Sequence, residues 1–280
     1  MEFFTTAAGI SVHVWDTRDE KPNAGKCLFL LHGYLETMYV FNELVDALKD
    51  RYRVIVIDMP GHGLTDSAPA DASGQRVNSL SFAVRTVVGV MDKCGVQRAV
   101  VAGHSMGGYV TQQLLREHPE RVERAILLHS HPFPDVPEKA EDREREKALI
   151  AAGKLHALAS VSVSMMYDEE NLRACDEKIR ETVELCESHD PDGIIASVEG
   201  LRTRPDLQDV WACPPVPLLL VYGDHDNYLP LERVEKLKEL YPKVSFQLIP
   251  GTGHNSFIER PEAAVAAITA FVESPTTGNC

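Results

Sequence analysis

Six runs rich in apolar residues are read as strands without a wet face: Cys27–Leu31, Arg53–Asp58, Ala99–Gly103, Ala125–His129, Pro217–Tyr222 and Val244–Ile249. A strand with one wet face alternates apolar and polar residues; a strand apolar throughout is covered on both faces. Each run stops abruptly, at His32-Gly33, Met59-Pro60-Gly61, His104-Ser105, Ser130, Gly223-Asp224 and Pro250-Gly251. Helical patterns lie between them: Phe41, Leu44, Val45, Leu48; then Val84, Val87, Val88, Met91, with Ser79 or Ser81 as the cap; then Val110, Leu114, Leu115; and last Ala264, Ala267, Ile268, Phe271. Strand, loop and helix in repetition predict an α/β fold, a mostly parallel central sheet flanked by helices. Ile10–Trp15 does alternate and reads as an antiparallel strand added at the sheet edge. With 280 residues and 44% hydrophobic content, such a core needs neither disulfides nor a structural metal.

The rhythm breaks once. Residues 131–206 contain no strand-like run. Ala148, Leu149, Ala152 and Leu155 predict one helix. Leu172, Cys175, Ile179, Val183 and Cys186 predict a second, and Ile194–Leu201 a third after the turn Asp190-Pro-Asp-Gly193. The chain therefore divides into a core, 1–130 with 207–280, and a helical cap, 131–206, inserted between two sheet strands. Such a cap stands over the carboxyl ends of the strands, where open α/β sheets bind ligands.

The loops at those ends carry the chemistry. Gly103-His-Ser105-Met-Gly107 follows a buried strand and opens a helix. A serine on so sharp a turn leaves no room for side chains two positions to either side, which requires the glycines. The turn lifts Oγ of Ser105 clear of the sheet and aims the amide of Met106 at the same space. A serine hydroxyl needs a base. Of eleven histidines, His254 stands in the loop after the last strand. His104 is adjacent to the serine, so its side chain points elsewhere; His32 reads as ordering a loop, and His62 lies in a turn. The base needs an acceptor on its other nitrogen. Asp224 and Asp226 both follow the strand that ends at Tyr222, and Asp226 has the reach to turn toward His254. A second oxyanion donor falls to the amide of Tyr34, after Gly33.

Serine, acid and histidine in that order resemble the α/β-hydrolase fold superfamily, in its serine-nucleophile, esterase- or lipase-like branch. The motifs that carry the resemblance are His32-Gly33-Tyr34, Asp58-Met-Pro-Gly-His-Gly63 with Ser67, Gly103-His-Ser105-Met-Gly-Gly108, Gly223-Asp-His-Asp226, and Gly253-His254 followed by Glu259-Arg-Pro261. The resemblance implies a triad of Ser105, Asp226 and His254, an oxyanion hole from the amides of Tyr34 and Met106, and no cofactor. Serine at 105 departs from the aspartate nucleophile of epoxide hydrolases and haloalkane dehalogenases. Gly33-Tyr-Leu-Glu36 departs from the glycine-rich loop of ring-cleavage-product hydrolases, and Asp58-Met-Pro-Gly from proline iminopeptidases. What remains is a carboxylesterase-like hydrolase. The same triad also serves cofactor-free haloperoxidases or perhydrolases, C–C hydrolases, lyases and hydrolase-like ligand receptors.

Charge narrows the partners. Asp plus Glu number 42 against 28 Lys plus Arg, and residues 131–206 hold 18 acids and 10 bases, so −8 of the net −14 lies in the cap. That balance disfavours nucleic acid and anionic membranes and favours a small, neutral, ester-like substrate. The opening Met-Glu-Phe-Phe-Thr-Thr has no signal-peptide character, and the six cysteines form no Cys-x-x-Cys pair, so a reducing cytoplasm is expected. Monomer and homodimer both stay open. His129 and His131 flank Ser130 at the cap entrance without ligand spacing, so no metal is expected. Met165 and Met166 are read as acyl-pocket lining or as cap core, Glu138–Lys147 as a solvated helix face, and Arg202 and Arg204 as a clamp for a substrate carboxylate or as cap-to-core ion pairs, with Asp206 the suggested partner. The stretch from Ser274 to Cys280 reads as a frayed end.

Overall fold

A computed structural model describes residues 1–19 and 25–275; Cys280 lies outside them. One sheet holds β1 Glu2–Ala7, β2 Ile10–Asp16, β3 Cys27–Leu31, β4 Arg53–Ile57, β5 Ala99–His104, β6 Val122–Leu128, β7 Leu218–Gly223 and β8 Ser245–Ile249, in the order β1-β2-β4-β3-β5-β6-β7-β8. From β4 to β8 every pairing is parallel. β2 is antiparallel to both β1 and β4. The alternating strand β2 is thus not the edge. The edge is β1, whose exposed Phe4 hides no regular pattern in Glu2-Phe-Phe-Thr-Thr-Ala7. β8, the other edge, is exposed at alternate positions and not covered on both faces.

The helices of the core are α1 Asn42–Leu48, α2 Leu80–Lys93 and α3 Met106–Glu117, followed beyond β6 by four inserted helices. These are α4 Pro137–Ala151, α5 Leu155–Ser164, α6 Asp176–Glu187 and α7 Pro191–Arg202. α8 Gln208–Ala212, α9 Leu231–Leu240, α10 Ser256–Glu259 and α11 Pro261–Glu273 complete the chain. Ser79 caps α2, its Oγ accepting the Phe82 amide at 3.2 Å. The pattern Ala148–Leu155 spans two helices, because Gly153 takes φ +73° and ends α4.

Two apolar cores sandwich the sheet. One lies between α2, α3 and the sheet, with Trp211 fully buried; the other holds Phe41, Phe257 and Ile268 under α1 and α11. A third core belongs to the inserted helices and takes in Leu35, with Tyr34 and Tyr228 packed against it. The insertion is tied down by hydrogen bonds. Asn78 Nδ2 donates to Pro60 O at 3.0 Å and to Ser197 Oγ at 2.9 Å. Its amide donates to Ala196 O. No helix among the described residues is long and apolar enough to cross a membrane.

Candidate active site

Ser105 follows β5 at φ +47°, ψ −107°, a left-handed backbone that costs a non-glycine residue of order 1–3 kcal/mol. The neighbourhood holds it there. Its amide donates to Leu128 O at 2.9 Å, and Ser130 Oγ donates to its carbonyl at 3.0 Å. A Cβ on Gly103 would strike the Gly107 carbonyl, and one on Gly107 would strike the Leu31 carbonyl, so the turn admits glycine alone at both places. Ser105 stays partly exposed in an otherwise buried segment.

His254 Nδ1 donates to both oxygens of Asp226, at 2.9 and 2.8 Å. Asp226 Oδ1 also accepts the amides of Tyr228 and Leu229, at 2.8 and 2.9 Å. Burial would push the Asp226 carboxyl up, but the His254 ring and hydrogen bonds from His129 and His254 outweigh it and hold the group well below the usual carboxylate range. Asp224 is occupied elsewhere: Oδ1 accepts the Gly251 amide at 2.7 Å and shapes the histidine loop. Among the described residues no hydrogen-bond partner stands on the amide of Tyr34 or of Met106.

The histidines that flank the site are structural. His104 turns away from the pocket, with Nδ1 on Glu36 Oε2 at 2.8 Å and Nε2 on His254 O at 3.0 Å. His32 Nε2 accepts the Met59 amide at 2.8 Å and Nδ1 donates to Gly33 O at 2.7 Å. His32 orders a loop, as its position suggested, and His104 also ties two loops together. Glu36 had no sequence signal, yet its Oε2 takes the Gly33 amide at 2.6 Å and so fixes the loop that carries Tyr34.

The inserted helices reach the His254 loop. Met166 O accepts the amides of His254 and Asn255, at 2.7 and 3.0 Å. Met166 itself is buried in the third core and Met165 is exposed. Glu259 accepts Gly253 N, Asp168 N and Asn171 Nδ2 at 2.8, 3.0 and 2.7 Å. It thereby clamps histidine loop to insertion. Tyr228 packs against His254 with ring centroids 4.9 Å apart and the rings tilted by 50°.

Two arginine readings change. Arg204 is buried and pairs with Asp135 at 2.6 Å, not with Asp206, while its guanidinium covers the Tyr109 ring at 4.4 Å. Arg202 pairs with Glu144 and Glu199. The run Glu138–Lys147 is not wholly a solvated face. Arg143 points inward, lies 5.9 Å over the Tyr34 ring, and is neutralised by Glu146 at 3.0 Å and Asp135 at 3.3 Å. Helical spacing cannot single out one inward arginine in a run of charges.

His129 also lay unused in the sequence. The structure brings it onto Asp226, and ligand atoms of His129, Asp226 and His254 fall within 4.8 Å of one another. Those atoms are engaged in mutual hydrogen bonds, two imidazoles on one carboxylate.

Burial raises and hydrogen-bonded partners lower the carboxyls of Asp226, Asp58, Glu36 and Asp16, with the net direction down in each. A carboxyl whose folded pKa lies below its unfolded value near 4 stabilises the fold above that value and loses the contribution as pH falls through the folded pKa. Burial also holds the rings of His32, His62, His129, His131 and His189 below the usual imidazole value near 6.5, which withdraws stability as pH falls, so thermal stability should decline below about pH 6.5 and fall steeply below about pH 4. A melting temperature unchanged from pH 6 to pH 3 would contradict this.

A family model described as alpha/beta hydrolase fold matches residues 26–261. The chain is 27% identical over 276 residues to a pimeloyl-[acyl-carrier protein] methyl ester esterase of Aeromonas hydrophila, covering 90% of this chain and 98% of that one. It superposes on a thermophilic esterase from Thermogutta terrifontis with TM-score 0.87 and 26% identity, covering 97% and 98% of the two chains. An enol-lactonase from Burkholderia xenovorans has the same fold at TM-score 0.85 and 21% identity, over 97% of this chain and 100% of that one.

Proposed function

The chain belongs to the alpha/beta hydrolase fold family, and on that premise we propose that it cleaves carboxylic esters through an acyl-enzyme on Ser105. The reading is carried by a strained, partly exposed Ser105 on the turn after β5, together with a histidine of the last-strand loop fixed by a buried carboxylate at 2.8 Å. Both relatives named as esterases support it.

His254 holds its Nδ1 proton on Asp226, which leaves Nε2 as the base. It takes the Ser105 proton as Oγ bonds to the ester carbonyl carbon. The carbonyl oxygen becomes an oxyanion and rests on the amides of Tyr34 and Met106. His254 then gives the proton to the departing alkoxide oxygen, and the C–O bond breaks. Water repeats the cycle on the acyl-enzyme: His254 takes its proton, and Ser105 leaves with that proton.

Residues 131–206 act as the cap of this site. The charges beside Tyr34 are compensated internally, Arg143 and Arg204 against Asp135 and Glu146. With those charges balanced among themselves, a small to medium neutral ester fits best. A fluorophosphonate should label Ser105 stoichiometrically, with the adduct found by peptide mass spectrometry, and the protein should turn over short p-nitrophenyl esters. Turnover surviving in S105A within about tenfold would discard the reading, since losing the nucleophile costs about 10⁴-fold or more.

A further inference from the structure

We propose that His129 is a positioning residue of this site, a second imidazole that holds Asp226 in register with His254; the proposal rests on the esterase reading above. His129 Nδ1 lies 2.9 Å from Asp226 Oδ2, the oxygen that His254 also uses. An ionised carboxylate only accepts, so His129 donates Nδ1–H. Its Nε2 then has a lone pair, and Ser256 Oγ–H fills it at 2.7 Å. Both ring nitrogens are committed, and one tautomer is selected.

The ring has no solvent exposure. Burial holds it neutral, its pKa pushed down to about 4 although Asp226 pulls the other way, so the donor is present at any ordinary working pH. The backbone is also bent to place it. His129 stands at φ +55°, a region that few side chains other than Asn, Asp and His adopt. Leu128, His129 and Ser130 each touch the site: Leu128 O takes the Ser105 amide, Ser130 Oγ reaches the Ser105 carbonyl, and the His129 ring reaches Asp226. Three successive residues thus tie nucleophile and acid to one strand end. Without the His129 donor, Oδ2 has His254 as its remaining partner, and the carboxylate can swing about the Oδ1 contacts and carry the base with it.

H129L removes the donated hydrogen bond. H129N keeps it, because the asparagine amide nitrogen stands about where Nδ1 stands and asparagine tolerates the positive φ. H129Q sends its nitrogen toward Ser256 and not toward Asp226. Expected on a p-nitrophenyl ester is a kcat drop of about ten- to a hundredfold in H129L, with KM within about twofold. H129N should keep kcat within about threefold of wild type, and H129Q should resemble H129L. A structural role alone would not give that ordering, which is read at equal melting temperature. Should H129L fail to fold, the comparison of H129N with H129Q decides. The proposal is overturned if H129N falls as far as H129Q, or if H129L keeps wild-type kcat. A wild type that neither labels with fluorophosphonate nor hydrolyses esters would instead overturn the esterase reading, before any variant is compared.

Discussion

Replacing Asp226 with asparagine is expected to lower kcat about 10⁴-fold. The reason lies in the donors around it. Oδ1 accepts Tyr228 N and Leu229 N, and both oxygens face His254 Nδ1, with His129 Nδ1 on Oδ2. Asparagine offers one oxygen and one NH₂. If the oxygen stays with the backbone amides, the NH₂ faces both imidazoles. His254 must then accept at Nδ1, which moves its proton to Nε2, the nitrogen that should take the Ser105 proton. The base is switched off. If the amide flips, the NH₂ confronts two buried backbone N–H groups, each costing about 1–3 kcal/mol when left unpaired. The first arrangement is the cheaper, so the variant should fold, melt a few degrees lower and be nearly inactive. Steady-state kcat beside a thermal melt checks this. A folded D226N protein with kcat within about tenfold of wild type would mean that His254 draws its orientation from elsewhere.

Much of this was legible in the chain because the proposed catalytic residues sit at the ends of buried strands. The apolar runs ending at Leu31, Gly103 and Tyr222 define where the sheet stops, and the structure puts Ser105 and Asp226 just past two of those ends. Glycines 103 and 107 are demanded by steric exclusion alone. Less legible was everything set by pairings far apart in sequence. β1 is a strand because β2 offers it a full antiparallel register from Glu2–Trp15 to Ala7–Ile10, not because its own pattern requires one. Glu36 reaches His104 across 68 residues and His129 reaches Asp226 across 97. Arg143 turns inward over the ring of Tyr34, which comes from the loop after β3. Periodicity within one segment holds no information about a partner in another.

His104→Leu is expected to destabilise the fold by about 3–5 kcal/mol at neutral pH, the cost of leaving a buried carboxylate without the ring it is hydrogen-bonded to. Glu36 and His104 have no exposed side-chain surface and lie 2.8 Å apart. Burial pushes the Glu36 carboxyl up, and the His104 ring beside it more than reverses that, with the net direction down. Leucine supplies volume but no charge and no donor. Glu36 is then left with the Gly33 amide at 2.6 Å on Oε2 and with Oε1 buried and unpartnered. Its pKa should move from below the unfolded value to above it. The sign of the pH dependence follows: a group with a raised folded pKa contributes stability below its unfolded pKa and loses it as pH rises. H104L should therefore lose less stability at pH 5 than at pH 8, measured by urea unfolding at both. A cavity or packing defect would cost the same at either pH. Shortening both partners together should cost less than the sum of the single changes. The recovery stays partial, because the Gly33 amide and the His254 carbonyl, at 2.6 and 3.0 Å from this pair, would both lose their partners. A loss below about 1 kcal/mol, equal at the two pH values, would show that the pair holds neither the Tyr34 loop nor the histidine loop in place.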